Sequence, residues 1–294
     1  MRAASPATAT IHRLAEGPRW DATRERLLWV DILDGVLFEG TLHEERITAT
    51  AEHRFEGTVS AVTAAADGTL LVAAHHGLVV LHPDGTRTPG PRVIPAGEPR
   101  RLNDGGTDPA GRFLVGTLSL GGPSTREALV RWEADGSVTT LDADLSLSNG
   151  LAWSADGHRM YSVDTLRRTV HVRDYDPDSG AVGPRRTHLQ LAEGCYPDGI
   201  ATDAADHLWV AVWGTGTVCR YTPDGTLTDR IAVPAPHTSS VAFAGPDLRT
   251  LVITTATAEL DDERLRAHPQ SGRLFTVPVD VPGLPVAPWA PPAR

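Results

Sequence analysis

Apolar residues in this chain fall into short runs that recur at a nearly constant interval. Leu27-Leu28-Trp29-Val30, Leu70-Leu71-Val72, Phe113-Leu114-Val115, Met160-Tyr161-Ser162-Val163, Leu208-Trp209-Val210 and Leu251-Val252-Ile253 are rich in β-branched and aromatic residues and bounded by polar turns. Runs of that length and composition predict strands. They begin near 28, 70, 113, 160, 208 and 251, so the spacing is 42 to 48 residues. Further strands follow at 77–81, 169–174 and 217–221, closed by Pro83-Asp84-Gly85, Asp178-Ser179-Gly180 and Pro223-Asp224-Gly225. No long stretch keeps a helical period, and the best candidate, Glu259 to His268, reads as a loop or a single turn.

Six units of about 45 residues with about four strands each predict an all-β fold, a six-bladed β-propeller. The expected organisation is one domain over 1–294, with blade units beginning near 16, 60, 103, 149, 198 and 240. A β-sandwich accounts for the strands but not for the period. A WD40 repeat is disfavoured, because the one Trp-Asp pair, Trp20-Asp21, opens a unit instead of ending it. Ring closure is expected from a strand at 9–14 pairing in the blade that holds 273–279. The Pro-rich tail from about 282 is expected to be extended or frayed.

The repeats can be superposed on the residue 10–12 positions before the marker strand. This superposition is supported five residues further on by Asp21, Asp108, Ser154 and Asp203. The aligned residues are Glu16, Ser60, Asn103, Asn149, Asp198 and Ser240. Innermost propeller strands converge on the axis, so equivalent positions form a ring. Asn103 and Asn149 are the only two asparagines in the 294 residues. Oxygen donors converging without His or Cys describe a hard divalent cation: Ca²⁺ first, with Mg²⁺ or Mn²⁺ next and Zn²⁺ as a further possibility. The competing reading takes Asn and Asp before Gly as ordinary turn residues. Arg101 lies two residues before Asn103, on the same side of an extended segment. There it either contacts a substrate oxygen or pairs with Asp104.

Composition narrows the partners. The formal net charge is -10, Lys is absent, and no basic stripe exists to neutralise phosphates. Nucleic acid is therefore not an expected partner. No run approaches the roughly 18 apolar residues of a membrane helix, and no membrane partner is expected. The segment from Met1 to Thr10 has no apolar core of a secretory signal. Cys195 and Cys219 form neither metal spacing nor a disulfide framework. The expected location is cytoplasmic, and the expected state is a monomer or weak homo-oligomer. Gly-x-Ser-x-Gly and HExxH are both missing. His75-His76 reads as a turn or surface pair, and His237 as a weak candidate for the pocket mouth.

Glu16-Gly17-Pro18, Arg101-Leu102-Asn103-Asp104-Gly105, Ser148-Asn149-Gly150 and Pro197-Asp198-Gly199 resemble the motifs of the SMP-30/gluconolactonase family, which includes regucalcin. Asp108 to Phe113, Gly116-Thr117-Leu118 and Thr238 to Phe243 extend the resemblance over about 11–280. The resemblance implies a six-bladed propeller that opens a sugar lactone or related lactone with the help of one divalent metal. It implies Glu16, Asn149 and Asp198 as metal ligands, Asp198 also as the general base, and Arg101 and Asn103 as substrate contacts. One departure stands out: vertebrate members carry a substrate-contacting Glu just after the segment matching Gly116-Thr117. Here the segment reads Ser119-Leu120-Gly121-Gly122-Pro123-Ser124, with no acid before Glu127. The alternatives are a propeller hydrolase of phosphotriesters or aryl esters, and a non-catalytic metal-binding propeller.

Overall fold

The computed structural model describes residues 2–292; Met1, Ala293 and Arg294, which the expectations for both termini include, lie outside the described residues. Among the described residues, alternating and β-branched segments pair into six sheets, each built on three or four consecutive antiparallel strands. The innermost strands are Ala15–Asp21, Val59–Ala64, Arg100–Thr107, Ser148–Trp153, Tyr196–Thr202 and Thr238–Ala244. Each packs on the next, and the sixth packs on the first, which closes a six-bladed propeller. The runs that set the sequence period are the second strands, for example Phe113–Ser119 and Leu208–Trp213. Their Leu, Val and Ile side chains fill the space between blades, with Leu28, Val72, Leu114 and Val210 fully buried. Burying one such side chain is worth about 1.5–3 kcal/mol, so the inter-blade layers are the main source of cohesion.

Closure uses the expected blade but a different segment. Ser5–Pro6 pairs with Phe275–Pro278 as the outer strand of blade 6, and Arg2–Ala3 adds a parallel fifth strand to blade 5 at Ile231–Ala232. A proline is tolerated there because the outer edge needs no further ladder donor. Residues 9–14 form no strand and run beside the loops of blade 6, with His12 N–H donating to Gly272 O and Leu14 bridging Ala256. Buried His12 shows why: its Nδ1 lies 2.8 Å from the Gly272 carbonyl, and Trp29 Nε1 donates to its Nε2 at 3.1 Å. A polar anchor holds this segment where the closing strand was expected, and Ile11 is left exposed.

The tail is extended, as expected, but not frayed. Gly283 N–H donates to Leu248 O, Leu284 to Thr202 O, Trp289 to Ala64 O and Ala290 to Gly111 O. Trp289 is buried and stacks on Trp132 at 5.6 Å. The strap crosses the lower face from blade 6 to blade 2 and roofs a cavity of about 480 Å³ lined by Arg19, Trp153 and Phe243 among others. The segment near 259–268 forms a helix, Asp262–Ala267, capped by the Asp261 carboxylate on Arg264 N–H. Among the described residues no helix is long and apolar enough to cross a membrane.

Candidate active site

All six inner strands break register at the ring. The pairing slips between Glu16 and Arg19, Val59 and Ala61, Leu102 and Gly105, Asn149 and Leu151, Pro197 and Ile200, and Thr238 and Ser240. A bulge puts an extra residue against its partner strand and re-aims the side chains around it. Glycine lets neighbouring blades close on one another there. A Cβ on Gly150 would run into the Asp198 carbonyl, and one on Gly199 into Ser240.

Glu16, Ser60, Asn103, Asn149, Asp198 and Ser240 are all at most 5% exposed. Hydrogen bonds tie the ring together across blades. Arg101 Nη1 donates to Asn103 Oδ1 at 2.7 Å, and Asn103 Nδ2 donates to Ser148 O in the next blade at 2.8 Å. Asn149 Nδ2 donates to Thr165 Oγ1 at 3.1 Å, and Thr165 Oγ1 donates to Pro197 O in blade 5 at 2.9 Å. Asn149 is thereby held by its nitrogen, and its Oδ1 is buried with no protein partner. Asp198 Oδ1 is in the same condition. Two such oxygens on adjacent blades are costly, since each buried acceptor left unmade loses about 1–3 kcal/mol.

The electrostatics agree. Burial, then the neighbouring Asp104 carboxylate, pushes Glu16 up to about 8, although Gly17 N–H and Arg101 oppose the shift. Burial followed by Glu16 and Asp104 raises Asp198 well above the usual carboxylate range. Burial lowers Arg101 to about 10, against the pull of Glu16 and Asp198. Arg19 reaches up from below, donates to Gly105 O at 2.7 Å and faces Asp104. Three buried carboxylates thus share two guanidinium groups, so the site is short of positive charge. That deficit and the two orphaned oxygens fit a divalent cation with hard oxygen ligands. Among the described residues no group of three or more His, Cys, Asp or Glu is arranged for a metal. The set here has only two residues of those types, Glu16 and Asp198, and takes its third oxygen from Asn149.

Glu16, Arg101, Asn103, Asn149 and Asp198, the residues proposed for metal and substrate, lie together in this buried cluster. Three further members went unrecognised. Asp104, which the sequence offers as a salt-bridge partner for Arg101, is a third buried acid. Arg19 follows Glu16 by three residues, and no repeat marks it. Thr165 sits in a loop outside the repeat alignment. Glu127 does not supply the acid missing from 119–126: it is 1% exposed and accepts from Thr117 Oγ1 at 2.8 Å and Arg100 Nε at 3.1 Å. His237 is buried and stacks on Trp213 at 4.1 Å. Cys195 and Cys219 are both free thiols.

The SMP-30/Gluconolactonase/LRE-like region family matches residues 14–257, a span that holds the whole ring. The chain belongs to this family. It is 36% identical to a pentonolactonase of Haloferax volcanii over 94% of each chain, and 34% identical to a 6-deoxy-6-sulfogluconolactonase of Pseudomonas putida over 92% of each. Among solved structures it superposes on a calcium-binding protein, regucalcin, from Agrobacterium tumefaciens with a TM-score of 0.92, at 30% identity and 98% coverage of both chains. The family, the propeller and the lactonase class expected from the motifs are all matched by these relatives.

Proposed function

We propose that this chain is a divalent-metal-dependent lactonase that opens a sugar lactone or closely related lactone to the hydroxy acid. The observation that carries the metal dependence is the pair of buried, unpartnered oxygens, Asn149 Oδ1 and Asp198 Oδ1, beside Glu16. Glu16, Asn149 and Asp198 would hold one ion, Ca²⁺ first, with Mg²⁺, Mn²⁺ or Zn²⁺ as alternatives. The name of the calcium-binding structural relative supports that order. When bound, such an ion supplies Lewis-acid polarisation of a carbonyl or of water.

The remaining chemistry belongs to the side chains. Asp198 acts as general base and takes the proton of the attacking water. Arg101 donates to the lactone oxygen that gains charge as the tetrahedral centre forms. Asn103 acts chiefly by orienting Arg101, since its Oδ1 already accepts from that guanidinium and its Nδ2 already donates to Ser148 O. The ester C–O bond then breaks, and the ring oxygen leaves as a hydroxyl. The propeller is a rigid frame for these steps, because each participant sits on an inner strand next to a bulge.

The test is to strip the protein with chelator, refill it with Ca²⁺, Mg²⁺, Mn²⁺ or Zn²⁺, and follow acid release from aldonolactones, aliphatic lactones and aryl esters. Metal-restored turnover of aldonolactones is expected. Turnover confined to aryl esters moves the chain to the other hydrolase class. Metal binding without turnover on any substrate sinks the enzymatic reading.

A further inference from the structure

We propose that His75 is a substrate-specificity residue, whose imidazole hydrogen-bonds a ring hydroxyl of the lactone at the mouth of the site. This rests on the lactonase reading above. Blade 2 contributes only Ser60 to the ring. Its next element upward is the tight turn between Leu70–Ala74 and Gly77–Leu81, which contains His75 and His76. In blade 3 the same connection, second strand to third, is the longer segment 119–126. Here that segment offers Leu120, which is apolar and 54% exposed.

Four observations place and fix the ring. The His75 carbonyl accepts from Leu102 N–H at 2.7 Å, so the turn is fastened to the strand between Arg101 and Asn103. The imidazole lies within electrostatic reach of Arg101. Its Nδ1 is 3.0 Å from Thr58 Oγ1, and the His76 ring lies against it at a tilt of 57° with centroids 3.9 Å apart. The backbone at His75 has φ +39°, in the left-handed region that non-glycine residues rarely occupy. Such conformations persist where the surroundings over-determine them, and they gather at ligand clamps. A plain turn would be served better by Gly or Asn.

The chemistry matches a hydroxyl better than an anion. Burial, then His76 and Arg101, lowers the His75 pKa below its ordinary value, which favours the neutral ring. Nδ1 is committed to Thr58 and leaves Nε2 for the ligand. A neutral imidazole nitrogen donates or accepts according to tautomer, and a hydroxyl can answer either.

The experiment compares a pentono-1,4-lactone with γ-valerolactone, which has the same ring and carbon count without hydroxyls. Steady-state kinetics are run on the metal-loaded parent, His75→Gly, His75→Asn and Thr58→Val. Glycine suits φ +39° and removes the ring without adding strain. His75→Gly is expected to raise KM for the pentonolactone about tenfold, the size of one hydrogen bond, with kcat within about twofold and the γ-valerolactone KM unmoved. His75→Asn keeps a donor and an acceptor and is expected to recover at least half of the loss on a logarithmic scale. Thr58→Val, which frees the ring to rotate, is expected to raise KM about threefold on the same lactone only. An active parent whose KM is unchanged in His75→Gly, or whose two lactones weaken equally, overturns the role of His75 alone. A parent inactive on both lactones overturns the lactonase reading and this inference with it.

Discussion

Asp198 and Asp203 lie five residues apart on one inner strand and its turn, both buried, and they could hardly be in more different circumstances. Asp203 Oδ1 accepts from Ala205 N–H at 2.9 Å and His207 N–H at 3.1 Å. Its Oδ2 accepts from Trp209 Nε1 at 2.9 Å and Arg220 Nε at 2.8 Å. Asp108 does the same work in blade 3, accepting from Ala110, Arg112 and Tyr175. Asp198 leaves one oxygen bare and faces two other acids. A buried carboxylate surrounded by donors holds the fold. A buried carboxylate surrounded by carboxylates costs stability, and that cost has to be offset by something that binds.

The comparison can be broken at either end. The largest effect is expected from Asp198→Asn: a drop in kcat of about a thousandfold, as for removal of a general base, while the metal-free protein melts no lower than the parent. Steady-state kinetics and thermal unfolding on the same preparation check both halves. Asp203→Asn should do the opposite and destabilise by about 3–5 kcal/mol, since it strands Arg220, while the folded fraction keeps the parent turnover. Equal loss of stability in the two variants would erase the distinction. Thr165→Val removes the clamp on Asn149 and the bond to Pro197 O without touching a reacting atom. Loss of an outer-shell partner predicts metal affinity about 10–100-fold weaker, read by titration of the stripped protein. The smallest effect is expected from Ser60→Ala, whose hydroxyl makes only a 3.5 Å contact to Ala73 O. Stability should move by no more than about 0.5 kcal/mol and turnover by no more than about twofold.

The same contrast explains what could be read from the sequence. The Asp21, Asp108, Ser154 and Asp203 series was visible because turn geometry demands the same residue types in the same phase. The strands at 77–81, 169–174 and 217–221 were read to the residue because alternation and flanking turns bounded them. The ring residues were visible because a symmetric fold puts them at one repeat position, and the family resemblance sharpened their roles. Asp104, Arg19 and Thr165 were not, because what makes each one matter is contact across blades and not periodicity. The tail is extended, one of the two states its prolines allow, and the choice between them is made by partners distant in sequence, Ala64, Gly111, Thr202 and Leu248. Residues 9–14 are where ring closure called for a strand, but the buried His12–Gly272 contact holds that segment and Ser5–Pro6 makes the closing pair.

The central claim is that the bare oxygens of Asn149 and Asp198 exist to hold a cation. Calorimetric titration of chelator-stripped protein with Ca²⁺ tests it directly, alongside Asn149→Ala. The account predicts one ion per chain in the parent and at least about tenfold weaker binding in the variant. No bound ion in the parent with any of the four metals, or undiminished affinity in Asn149→Ala, would contradict it.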